Sequence, residues 1–106
     1  MAQLTVPDMV KKGAGSVIFT ASVAALKPSE QLGTYGMSKL ALIGLTRNLA
    51  QEFGPHGVRF NAICPGLIRT DFARELWENP KVEDRIQQQI PLRRLGEADD
   101  LKGLAV

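Results

Sequence analysis

Two short apolar runs flank one long segment with a helical pattern. Ser16-Val17-Ile18-Phe19-Thr20-Ala21 is apolar and β-branched without alternation, the pattern of a strand covered on both faces. Val58 to Cys64 is a second strand of the same kind, ended by Pro65-Gly66. Between them, from Thr34 to about Gly54, the leucines Leu42, Leu45 and Leu49 and then Phe53 recur at three- and four-residue steps. Arg47, Asn48, Gln51 and Glu52 lie between them, so the segment predicts an amphipathic helix. Gly54-Pro55-His56-Gly57 stops it. Ser22 to Gly33 carries Pro28 and small polar residues and reads as a loop.

The flanks are helical. Residues 2–12 place Leu4, Val6, Met9 and Val10 on a helical pattern, weakened by Pro7, which removes one backbone donor. Gly13 and Gly15 then break the chain. Beyond Asp71 two short helices are expected, near 72–78 and 81–89, split by Asn79-Pro80. Pro91 and Gly96 bound a loop, and a last helix starts near Ala98. Strand, long helix, short turn and strand make a βαβ unit, with parallel strands and a right-handed crossover. The fold class is α/β, and residues 1–106 read as a single domain without repeats or low-complexity segments.

Composition narrows the function classes. With 44% hydrophobic and 23% charged residues, a packed fold is expected and disorder is not. A net charge of +2 with scattered basic residues argues against nucleic acid as partner. No apolar run reaches the roughly 18–20 residues of a membrane span, and the first ten residues lack the basic start of a signal peptide. The lone cysteine, Cys64, excludes an internal disulfide and fits the reducing cytoplasm.

Ser22 falls at the carboxyl end of the first strand, and Tyr35 and Lys39 open the crossover helix. Ligands of open α/β sheets bind outside the carboxyl ends of the strands. Residues at i and i+4 share one helix face, and the loop from Ser22 to Tyr35 can fold back so that the three converge. A phenol exchanges its proton with difficulty at neutral pH, and a nearby cation favours the phenolate. Tyr35 would then serve as general acid or base towards a carbonyl or alcohol, with Ser22 hydrogen-bonding the same oxygen. Each residue also has a plain reading: Tyr35 and Lys39 as a surface pair, Ser22 as a turn cap.

Three stretches, "SVIFTASVAA", "TYGMSKLALIGLTRNLAQEF" and "GVRFNAICPGLIRTD", settle between these readings. They closely resemble the short-chain dehydrogenase/reductase family, with Ser22, Tyr35 thirteen residues on and Lys39 four later. Asn61 to Gly66 follows as Asn-x-x-x-Pro-Gly, then Thr70, and "PLRRLGEADDLKGLAV" is similar to the family's late Arg-x-Gly segment. The resemblance implies a Rossmann-like doubly wound parallel sheet. It also implies hydride transfer between NAD or NADP and a small-molecule carbonyl/alcohol pair. Carried over, Tyr35 is the acid/base, Lys39 lowers its pKa and binds the nicotinamide ribose, and Ser22 positions the substrate oxygen. Pro65, Gly66, Leu67 and Ile68 run along the nicotinamide, and Thr70 reaches its carboxamide or a phosphate. His56 and Cys64 are expected to be a turn residue and a small core residue, and Asn61 to brace backbone. Trp77, Leu76 and Phe72 either line a substrate lid or pack a core.

The family's glycine-rich phosphate loop has no counterpart, because Gly13-Ala14-Gly15 precedes a strand instead of opening a helix from one. The family's fourth catalytic residue, an asparagine upstream of the serine, is also unmatched. The chain is therefore expected to be the middle-to-late portion of such an enzyme, without the dinucleotide-binding half and the last strand. Full-length relatives form homo-oligomers through the crossover helix and the one before it. The rival expectation is a non-catalytic α/β module that associates through those helices with itself or a full-length relative.

Overall fold

Pro7 does not end the first helix. In the computed structural model, which describes residues 1–106, α1 runs from Ala2 to Lys12 with Pro7 inside it. Lys11 and Lys12 favour its negative end, and Gly13 closes it in the left-handed conformation, with Ala14 N–H donating to Met9 O at 3.2 Å. Strand β1 (Gly15–Thr20), helix α2 (Gly33–Phe53) and strand β2 (Val58–Ile63) follow, each within a residue or so of expectation. β1 and β2 pair in parallel, Val17 opposite Phe60 and Phe19 opposite Ala62, which completes the βαβ unit.

The chain divides into two compact units, residues 1–65 and 66–106. The core of the first is built on one face of the sheet. Val58 is 1% exposed, and Val6 and Phe60 are also buried. Met9 and Val10 of α1, and Leu49, Ala50 and Phe53 of α2, pack against them. The Phe53 and Phe60 rings meet at 5.9 Å. Burial of each large apolar side chain here contributes about 1.5–3 kcal/mol.

The fold is a Rossmann-type α/β parallel sheet with helices, and residues 1–106 cover only one face of the strands. The alternation of the pleat sends Val17, Phe19, Val58 and Phe60 to the helices, and it leaves Ser16, Thr20, Arg59 and Asn61 exposed on the other face. Ile18 and Ile63, half-buried there, made the runs look continuously apolar. The helix pattern also needs correction at Leu45, which is exposed while Thr46 is buried. Positions 42, 46, 49, 50 and 53 lie on one helix stripe and 45 at its margin. Thr46 tolerates burial because its hydroxyl donates to Leu42 O at 2.7 Å. Cys64 lies just past β2, half-buried.

One close approach fixes the α2–β2 turn. Gly57 has φ +79°, and a Cβ there would lie 2.1 Å from Gly13 O, so both the conformation and the space require glycine.

In the second unit Ile68 pairs with Gly96 as an isolated parallel bridge. A turn at Asp71–Ala73 leads into α3 (Arg74–Glu78), which is shorter than the expected 72–78. Asn79 caps α4 (Pro80–Gln89) by accepting from Lys81 N–H at 3.1 Å, with Pro80 at the first position. A turn at Ala98–Leu101 and α5 (Lys102–Ala105) close the chain. Arg94 grips Asp100 with two nitrogens at 2.7 and 2.9 Å. That hydrogen bonding, joined by the Glu97 N–H, holds the Asp100 carboxyl well below the usual carboxylate range. No helix is long and apolar enough to cross a membrane.

Candidate functional site

Hydrogen bonding between the strands continues past their carboxyl ends. Ala21 N–H donates to Ile63 O at 2.8 Å and Val23 N–H to Pro65 O at 2.9 Å. Ser22 sits between these two anchors, in extended backbone at the start of a single turn, Val23–Ala25. Its Oγ accepts the Ala24 N–H at 3.1 Å, so the cap reading holds. A hydroxyl that accepts this way still has its own hydrogen to donate.

Lys39 approaches the same strand end from α2. Its ammonium donates to Thr20 O at 3.0 Å and lies 5.6 Å from the centre of the Tyr35 ring. The i and i+4 spacing thus brings phenol and amine together, as expected. Of three ammonium donors, Thr20 O occupies one and two remain for a ligand. Tyr35 is 38% exposed, open to a partner, and its main-chain carbonyl accepts the Ser38 hydroxyl at 2.7 Å.

Sequence reasoning missed Gly36. A Cβ at that position would lie 2.8 Å from Ala24 O, so a bare backbone at the start of α2 lets the Ser22 turn settle against the helix beside Tyr35. The available signal was an isolated glycine in a helical pattern, which usually has a packing reason. Gly36→Ala should push the Val23–Ala25 turn off α2 and cost about 1–3 kcal/mol, the usual range for overpacking. A Tm and thermal-melt comparison checks this, and an unchanged Tm would contradict the contact. Thr20, which supplies the carbonyl for Lys39, was also missed, because a backbone acceptor leaves no mark on residue type.

Ser22, Tyr35, Lys39 and Pro65 all belong to the first unit. Gly66, Leu67, Ile68 and Thr70 belong to the second, where the Ile68–Gly96 bridge holds Leu67 to Arg69 and Thr70 O accepts the Trp77 indole N–H at 3.0 Å. His56 is an exposed turn residue. Asn61, expected to brace backbone, stands exposed on the open face of β2. Core packing fails for Phe72, which is 94% exposed, and Leu76 is exposed too, while Trp77 is half-buried.

A family model described as enoyl-(acyl carrier protein) reductase matches residues 1–106. Dehydrogenase/reductase SDR family member 4 of Oryctolagus cuniculus is 45% identical over 104 residues, 98% of this chain and 40% of its own length. The Homo sapiens protein of that name is 43% identical, with 37% of its length matched. The chain therefore spans about two-fifths of the curated relatives it matches. A short-chain type dehydrogenase/reductase from Mycobacterium ulcerans superposes with a TM-score of 0.93 at 35% identity, covering 98% of this chain and 38% of that one. A gluconate 5-dehydrogenase from Burkholderia cenocepacia J2315, solved with NADP and tartrate, superposes with a TM-score of 0.93 at 27% identity, with coverage of 98% and 41%.

Proposed function

This chain belongs to the short-chain dehydrogenase/reductase family, and on that premise we propose that its residues serve NAD(P)-dependent hydride transfer between a small-molecule carbonyl and the corresponding alcohol. The observation that carries the reading is the cluster at the end of β1: Lys39 ammonium on Thr20 O, the Tyr35 ring beside it, and Ser22 on its turn.

These residues suit the nicotinamide end of the cofactor. The two free donors of Lys39 match ribose hydroxyls. The motif of Pro65, Gly66, Leu67, Ile68 and Thr70, and that motif alone, assigns these residues to the carboxamide. No glycine-rich turn in residues 1–106 opens a helix from a strand: Gly13 closes a helix instead. The pyrophosphate therefore has no seat among them. When bound, the nicotinamide supplies or accepts the hydride. Ser22 donates its hydroxyl hydrogen to the substrate oxygen and orients the carbonyl. Tyr35 gives its phenolic proton to that oxygen during reduction and takes it back during alcohol oxidation. Lys39 holds charge beside the phenol and orients the ribose.

The test is turnover. Joined to a glycine-rich phosphate-binding half, this segment should oxidise NADPH or NADH only when a carbonyl acceptor is present, read at the nicotinamide absorbance. No carbonyl-dependent oxidation by a folded protein would contradict the reading.

A second reading rests on Leu4, Met37, Leu40 and Leu45, exposed on α1 and α2: a non-catalytic module, or an enzyme subunit, that pairs through these helices. Sedimentation equilibrium separates a monomer from such an oligomer. A cytoplasmic location remains part of the proposal, resting on the free thiol of Cys64.

A further inference from the structure

We propose that Arg69 is a positioning residue: its guanidinium, held by Trp77, Glu83 and Glu97, fixes the backbone of Leu67–Thr70. The motif assigns that stretch to the nicotinamide in the reading above, on which this proposal's functional meaning rests.

The main chain of the stretch is tied at two points. Arg69 N–H donates to Gly96 O at 2.8 Å, and Gly96 N–H donates to Leu67 O at 3.1 Å. Next along the chain, Thr70 O accepts both the Ala73 N–H at 3.1 Å and the Trp77 indole N–H at 3.0 Å. The Arg69 side chain gathers the elements that supply these ties. One terminal nitrogen donates to Glu83 Oε1 on α4 at 2.8 Å, its Nε lies 3.2 Å from Glu97 Oε1, and its Cζ sits 5.3 Å from the centre of the Trp77 ring on α3. Glu83 is itself held by Gln87 Nε2 at 3.1 Å.

Each contact alone would be weak, because Arg69 and Glu97 are more than a third exposed. Their convergence on one planar group is what matters. A planar guanidinium can lie over an indole at cation–π distance while its nitrogens meet two carboxylates, and a lysine ammonium cannot reproduce that. Trp77 consequently has two functions: it presents a face to Arg69 and its N–H to the carbonyl of the next residue. Leu67–Thr70 and helices α3 and α4 thus form one mechanical piece, and whatever orders either orders the other.

Trp77 is the chain's only tryptophan, and since Arg74 also lies over its ring at 6.0 Å, the Arg69 contact is read from the change in its emission when Arg69 alone is replaced. The experiment uses the folded 106-residue chain without cofactor, so that failure of this proposal is separate from failure of the dehydrogenase reading. Arg69→Met should shift Trp77 emission and speed amide exchange at Arg69 and Gly96 about tenfold, leaving the amides of β1 and β2 unchanged. Arg69→Lys should restore neither. Unchanged emission and exchange in Arg69→Met, or full restoration by lysine, would overturn the proposal. Should Arg69→Met unfold the second unit, Glu83→Gln provides the milder version: a smaller change in the same two readouts supports the proposal, and no change overturns it.

Discussion

Tyr35→Phe, made in this segment joined to a phosphate-binding half, is expected to lower kcat by about 100- to 10,000-fold, the usual weight of a general acid or base. The substitution removes one oxygen. Tyr35 lies at the start of α2 with more than a third of its surface exposed, so the core of Val6, Val58 and Phe60 is untouched and Tm should barely move. The ring stays to face the Lys39 ammonium, and cofactor affinity should fall only slightly. The result would then appear almost wholly in kcat, the signature of an interaction made in the transition state. A variant with near-normal kcat would leave Tyr35 as a surface aromatic and take the chemistry elsewhere.

Lys39→Met is expected to act on binding as well as rate. The ammonium is anchored by Thr20 O at 3.0 Å, which holds it beside the Tyr35 ring and leaves two donors, which the proposal gives to the ribose. A charge-assisted hydrogen bond contributes about 1.5–3 kcal/mol, so losing those two should raise the Kd for NAD(P)H by at least about tenfold. Methionine keeps the length and apolar stem of lysine, and α2 should remain intact. Nicotinamide fluorescence measures the change. Equal affinities in the two proteins would mean that Lys39 is no more than a strap between α2 and β1.

Patterns that depend on local spacing were legible in the sequence. Strand β1, the helix from Gly33, the stop at Gly54–Gly57 and the proline-started α4 all follow from residue types over a few positions. So does the pairing of Tyr35 with Lys39, which is one turn of helix. Features set by the third dimension were not legible. The apolar run around Ile18 did not show which face residues 1–106 cover, because such a run does not say which neighbours lie against it. Thr46 replaced Leu45 in the core because a threonine can satisfy its hydroxyl on its own helix. Gly36 has a purpose only in relation to Ala24 O. The Arg69 cluster joins positions 69, 77, 83 and 97, separations at which no helix or strand period applies.

The central proposal is that the cluster of Ser22, Tyr35 and Lys39 takes the nicotinamide end of the cofactor, with no seat for the pyrophosphate among residues 1–106. Two-dimensional amide NMR of the folded 106-residue chain, titrated with NADPH, tests it most directly. Shifts should concentrate at Ser22, Tyr35 and Lys39, with an apparent Kd of about 1 mM, which corresponds to about 4 kcal/mol. A folded chain whose Tyr35 and Lys39 signals do not move at high NADPH, or one that binds it with micromolar affinity, would contradict the account.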